Sequence, residues 1–285
     1  KRGFRDQVLD DMEIERERGI TIKSNSITLD YVAEDGQEYQ FNLIDTPGHV
    51  DFSHEVRRSL MACDGAIIIV DASQGVEAQT VANLYLALEF DLELMTVINK
   101  IDLPAADVER VREEIDEDLG LDPFDAIPIS AKNGIGVPEV LAGVVKYLPA
   151  PSGDSTAPLK ALVFDAQYDT YRGVVLSCRV REGVMKVGDR VRFMHSGNEY
   201  EILELGHNRL GRESTKSLGT GDVGYIITGI KTIQDVAIGD TLTIASNPAA
   251  EPLAGYQPAK PVVFSSIYPM STDEYPELIG AMEKL

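Results

Sequence analysis

Leu94-Met95-Thr96-Val97-Ile98, followed at once by Asn99-Lys100-Ile101-Asp102, is the stretch on which the fold turns. A short, mostly apolar run of β-prone residues reads as a strand buried on both faces. The polar tetrapeptide after it therefore sits at a strand's carboxyl end, where open α/β sheets bind ligands. Its chemistry is specific. Asp102 can accept parallel hydrogen bonds from N1–H and the 2-amino group of guanine. Adenine offers an acceptor at N1 and no 2-amino group, so a carboxylate facing it is left unpaired. Sites built on such pairs reject the wrong base by orders of magnitude. Lys100 can lay its stem along a base, Asn99 can fix the loop, and Ile101 lies between Lys100 and Asp102. Taken alone, the tetrapeptide reads as well as a solvated charged turn.

Working outward, strand and helix signals alternate from residue 26 to about 148. Tyr39 to Ile44 reads as a strand. Asp51 to Cys63 reads as a helix with Phe52, Val56, Leu60 and Cys63 on one face. Ala66-Ile67-Ile68-Ile69-Val70 is a continuous apolar run, expected as a buried parallel strand. Gln79 to Phe90 carries Val81, Leu84, Tyr85 and Leu88 at helical spacing. Pro104 to Leu119 is an expected helix with Val108, Val111, Ile115 and Leu119 inward, Pro104 in its first turn and Gly120 at its end. Ala126 to Ile129 is a short strand whose proline suits an edge. Val137 to Leu148 is a last helix, with Pro138 near its start. This alternation implies a parallel sheet covered by helices on both faces.

The composition then changes. A Pro/Ser/Gly-rich linker runs from Pro149 to Pro158. From Lys160 to about Ala245, short β-rich runs are broken by turns. Gly188-Asp189, Gly221-Asp222 and Gly239-Asp240 each precede such a run: Arg190 to Met194, Val223 to Thr228 and Thr241 to Ile244. Glycine supplies a positive φ and aspartate folds onto backbone, so the pairs read as turn punctuation in a small all-β barrel or sandwich. A second Pro-rich joint, Asn247 to Pro261, leads to a strand-like run, Val262 to Tyr268, and a helix, Thr272 to Leu285. A lone strand and helix bury no core of their own, so a third domain is expected to begin here.

Two further loops follow strands. Asp45-Thr46-Pro47-Gly48-His49 places a carboxylate where it can hold Mg2+, through water. Gly48, three positions on, lets its backbone N–H approach a terminal phosphate. Ser130-Ala131-Lys132 offers a backbone N–H to guanine O6. Either alone is an ordinary turn. Their conjunction with Asn99 to Asp102, in this order and at strand ends, points to a guanine-nucleotide site.

Glu15-Arg16-Glu17-Arg18-Gly19-Ile20-Thr21-Ile22 adds the class. With it the chain resembles the translational GTPases. Four longer stretches resemble the elongation factor 4 (LepA) family: Asp10 to Arg18, Gln74 to Asn83, Phe164 to Gly173, and Gly255 to Pro261. Elongation factor G, the tetracycline-resistance proteins and the BipA-type factors share the shorter motifs. The resemblance implies a P-loop-type α/β GTPase domain over 1–150, a linker over 151–158, an all-β translation-factor barrel over 159–250, and a joint with the start of an α+β third domain over 251–285. It implies that Thr21 ligates Mg2+ through its hydroxyl, as Asp45 does through water. It implies that His49 orients the attacking water. It further implies GTP and GDP as ligands, and as partner the tRNA-bearing ribosome, through RNA and proteins near the factor-binding site. A cytoplasmic monomer is expected.

The phosphate-binding loop, Gly-x-x-x-x-Gly-Lys-[Ser/Thr], has no counterpart, since the chain contains no Gly-Lys dipeptide. In the resembled family that loop lies just upstream of a stretch like Lys1 to Leu9, so the chain is expected to start after it. A catalytically silent module that binds only guanine or the ribosome is the competing expectation.

Bulk properties bound the partners. Net charge is −21 and 44% of residues are apolar. That sign argues against a broad basic face for nucleic acid, and DNA is not expected. Cys63 and Cys178 lack metal-like spacing and suit a reducing compartment. No apolar run is long enough to span a membrane. Peripheral membrane association is compatible with the sequence. His54, His195 and His207 lack motif context and read as surface or packing residues.

Overall fold

The computed structural model describes residues 13–254 and 265–282. The expectations for Lys1 to Leu9, for Asp10 to Met12, for Gly255 to Pro261 and for the last three residues lie outside them. The chain divides into two units, Lys1–Pro151 and Ser152–Leu285.

In the first unit, helix α1 (Glu13–Arg18) precedes a hairpin of β1 (Asn25–Val32) and β2 (Glu38–Asp45). The strands pair antiparallel from Asn25↔Asp45 to Val32↔Glu38. Asp35-Gly36 makes the turn: Gly36 sits at φ 80° and the Asp35 carboxylate accepts from Gln37 N at 2.9 Å. An Asp-Gly pair between β-prone runs is a strong hairpin signal. Tyr39 to Ile44 is thus a strand, as expected, but it lies in this hairpin and not in the parallel sheet.

Helix α2 (Ser53–Leu60) follows a single 3-10 turn, Val50–Phe52. The parallel sheet then forms from β3 (Gly65–Asp71), β4 (Glu93–Asn99) and β5 (Ile127–Pro128). Its order is β3-β4-β5, so the proline strand lies at an edge. Helices α3 (Ala78–Glu89), α4 (Val108–Glu114) and α5 (Val137–Tyr147) complete the unit. Strand alternation splits the core between two faces. Ile68, Val70 and Ile98 pack with Leu84, Val111 and Ile115. Met95, Val97 and Ile129 pack with Val140, Val144 and Tyr147 on the other face.

Three expectations need correction. Helix α4 starts at Val108, not Pro104, because the Asp107 side chain caps it by accepting from Arg110 N at 3.1 Å. Ile115–Leu119 continues it as a wider π-type turn that ends at Gly120, φ 64°. On α3, Leu84 and Ala87 are buried, whereas Tyr85 is 64% and Leu88 51% exposed. The covered arc therefore runs through Leu84 and Ala87. On β3, Ile69 is 58% exposed within the apolar run, so burial on both faces does not extend to it.

Up to Ile244 the second unit is all-β apart from one 3-10 turn, Ile233–Asp235. Strands β6 (Lys160–Asp169) and β7 (Gly173–Glu182) form a long bulged hairpin. They are followed by β8 (Val184–Lys186), β9 (Arg190–Phe193), β10 (Glu199–Glu201), β11 (Glu204–Asn208), β12 (Arg212–Ser214), β13 (Ser217–Gly219), β14 (Val223–Ile227) and β15 (Thr241–Ile244). One sheet has the order β10-β9-β15-β6-β7-β14-β11-β12, and β13 pairs with β8. Leu176, Cys178, Phe193, Leu205, Ile226 and Leu242 share one core with Met185 and Leu218 of the smaller pair. A sheet wrapped about one core in this way is barrel-like.

The Gly-Asp pairs are turns, with φ of 88°, 92° and 93° at Gly188, Gly221 and Gly239. Asp189 and Asp222 accept from the backbone three residues back, Lys186 N and Gly219 N. Asp240 is buried and instead grips His195 N across the strands, at 3.0 and 3.1 Å. Beyond the joint, a 3-10 turn, Thr272–Glu274, leads into α6 (Tyr275–Met282). Residues 265–268 form no strand, contrary to expectation, and the rest of that run is outside the described residues. Among the described residues, no helix is long and apolar enough to cross a membrane.

Candidate functional site

Strands β3, β4 and β5 deliver three loops to the carboxyl end of the parallel sheet. Asp71 and Asn99 lie side by side in register, each the last residue of its strand. The Asn99 side-chain oxygen accepts from Lys100 N at 2.7 Å and from Ala131 N at 3.0 Å. One amide thus ties together Asn99 to Asp102 and Ser130 to Lys132. A backbone bond from Ile101 N to Ile129 O adds a second tie at 3.2 Å. Ser130 is fully buried, and its N–H and C=O both pair with Ile135.

Asp102 is exposed at the rim. The Ser130 hydroxyl donates to it, and with the Lys132 charge and Asn133 holds its carboxyl below the ordinary range. An exposed, ionised carboxylate is a hydrogen-bond acceptor open to solvent.

Lys100 occupies the left-handed region, φ 67°, which non-glycine residues seldom adopt. Its ammonium reaches Asp71 Oδ2 at 2.7 Å. The other Asp71 oxygen accepts from Ser73 N at 2.7 Å, Ser73 Oγ at 2.6 Å and Gln74 N at 3.3 Å. Burial pushes this carboxyl up, but the bonds from Lys100 and Ser73 outweigh it and hold it far below the ordinary range. Sequence reasoning missed Asp71. Its signal was a carboxylate closing an apolar run, at the position in β3 that Asn99 holds in β4.

Asn25 faces Asp45 at the open end of the β1–β2 hairpin, so along the chain Thr21 lies just before that pair and Gly48 and His49 just after it. The buried Glu15 carboxylate of α1 accepts from Ile22 N at 2.8 Å and Lys23 N at 3.0 Å. Gly19, at φ 66°, lets Gly19 N and Ile20 N turn back onto Glu15 O. Thr21 is therefore bracketed on both sides by bonds to one residue. The Asn83 amide of α3 donates to Gly48 O at 3.3 Å. His49 is half-exposed and starts the 3-10 turn, its Nδ1 accepting from Asp51 N at 3.2 Å. The same Nδ1 also lies 3.3 Å from Asp51 Oδ2, a carboxylate oxygen that accepts from a ring N–H.

Among the described residues, no three His, Cys, Asp or Glu side chains converge on a common point. Mg2+ needs no such cage. It takes hard oxygens, commonly one or two from protein with the rest from phosphate and water. A Thr21 hydroxyl and an Asp45 carboxylate fit that donor chemistry. Of the other histidines, His54 and His195 are exposed, and His207 Nδ1 lies 3.1 Å from Val223 O.

The family model described as Elongation factor Tu GTP binding domain matches residues 1–150. A second, Elongation factor Tu domain 2, matches residues 173–243. Elongation factor 4 2 of Rhodopirellula baltica is 68% identical over 100% of this chain and 48% of its own length. Elongation factor 4 of Desulfotalea psychrophila is 58% identical over the same shares, 100% and 48%. The chain thus spans about half the length of the curated relatives it matches. A bacterial selenocysteine-specific elongation factor has a similar fold, with a TM-score of 0.68 and 21% identity over 83% of this chain and 40% of that one.

Proposed function

The chain belongs to the family of the elongation factor Tu GTP binding domain, and from that premise we propose a ribosome-dependent GTPase of the elongation factor 4 type. The protein hydrolyses GTP to GDP and phosphate while remodelling tRNA-bearing, stalled or mistranslocated ribosomes in the cytoplasm. Identity along the whole chain to proteins named elongation factor 4 favours this type over elongation factor G or BipA-type factors.

The observation that carries the reading is the joint made by Asn99. It sets Ala131 N and the Asp102 carboxylate on neighbouring loops. In the proposed complex Asp102 accepts from guanine N1–H and the 2-amino group. Ser130, Ala131 and Lys132 present a backbone N–H to O6, and Lys100 and Ile101 wall the base. Gly48 N–H approaches the terminal phosphate. Thr21 and Asp45 would hold Mg2+, which neutralises charge on the phosphates when bound. His49 orients the water that attacks phosphorus. Such positioning is most of what phosphoryl transfer asks of a protein.

The test is base choice. Xanthine replaces the 2-amino group with a carbonyl, to which an asparagine amide can donate. Asp102→Asn in the full-length protein should lower GDP affinity about 100-fold or more and make XDP the preferred ligand. Retained preference for GDP would refute the base-reading role.

A further inference from the structure

We propose that Asp71 is a positioning residue of the nucleotide site, anchoring the Lys100 ammonium so that the lysine stem forms a fixed wall for the base. The inference rests on the nucleotide reading above and adds a residue that no motif supplies.

Three observations carry it. First, the pair is short and one-sided in exposure: Nζ lies 2.7 Å from Oδ2, with the Lys100 side chain 57% exposed and Asp71 only 17%. The carboxylate is the fixed partner and the lysine the one being held. Second, Asp71 is itself immobilised. It is the last residue of β3, and its other oxygen takes bonds from Ser73 and Gln74. Third, the loop beyond is clamped from α4. Arg110 pairs with Glu114 and donates to Ser73 O at 3.2 Å, while Glu114 accepts from Val76 N at 2.9 Å. Gly75, at φ 80°, makes room, since a Cβ there would run into the Glu114 carboxylate.

A free lysine side chain keeps many rotamers, and ordering it at binding opposes affinity. Anchoring Nζ beforehand removes most of that cost. It also fixes a stem that lies against the ring and touches no exocyclic group. Asp71 should therefore set affinity without setting the choice between guanine and hypoxanthine, which belongs to Asp102.

The test is a double-mutant cycle in the full-length protein, read as Kd for GDP and for IDP. Asp71→Asn keeps a side-chain oxygen for the Ser73 turn and removes the charge facing Lys100. It should weaken GDP and IDP by the same factor, about tenfold. In the Lys100→Gln background the same substitution should change neither Kd. A GDP loss that is equal in both backgrounds, or no loss at all, would overturn the positioning role. If the unmodified protein does not bind GDP, the nucleotide reading fails, and this inference with it.

Discussion

His49 ties its own turn with Nδ1, and Nε2 takes no part in that contact. That division of labour makes the residue separable from nucleotide affinity. His49→Ala is expected to lower ribosome-stimulated GTP turnover about 10²- to 10⁴-fold while leaving Kd for GDP unchanged. Single-turnover kinetics with and without ribosomes check this, and unchanged turnover would remove His49 from the mechanism. The sequence singles out Asp102 and His49 because each sits in a contiguous motif just after a strand. It does not single out Asp71, because a lone carboxylate at a strand end is also the commonest kind of turn residue. The register that sets it beside Asn99 is what brings Lys100 within its reach.

Among elements, α1 and the loop behind it act as one piece through Glu15. Replacing that buried carboxylate strands Ile22 N and Lys23 N, at a cost of about 2 kcal/mol. Glu15→Ala should accordingly speed amide exchange at residues 20 to 23 and leave the β3–β5 sheet protected, as measured by hydrogen exchange. Helix α4 offers a cleaner case. Asp107→Ala removes its cap and should cost about 1 kcal/mol in denaturant unfolding. The sequence showed this helix and its inward residues, yet put its start at Pro104, since proline suits a first turn as well as the turn before one. Asp107 decided between them through a bond that spacing alone does not reveal. Apolar spacing on α3 likewise admitted two arcs, and packing chose the one through Leu84 and Ala87. Tyr39 to Ile44 was legible as a strand, but its partner was not. The Asp35-Gly36 turn that pairs it with β1 was the signal passed over.

For the molecule as a whole, alkali is the informative stress. In the barrel-like unit, burial pushes the Cys178 thiol up to about 12 from 9.0. Burial and a 2.7 Å bond to Glu204 push the Tyr225 hydroxyl up to about 12 from 10.0. Both folded values lie above the unfolded ones, so the folded state binds more protons between them. The stability these groups contribute is complete below about pH 9 and falls as pH rises toward 12. Unfolding midpoints at pH 8 and pH 10.5 should show that loss, and Tyr225→Phe should reduce its slope. Cys178 should also resist thiol reagents in the folded protein while the less buried Cys63 reacts. The left-handed backbone at Lys100 has a different reach. Holding a lysine there costs about 1 kcal/mol that glycine would not incur. In an Asp71→Asn background, where no ion pair is lost, a laboratory screen for heat resistance alone would enrich glycine or asparagine at position 100, and a screen for ligand retention would bring lysine back. Two selections pulling one codon in opposite directions would show which of them shaped this loop.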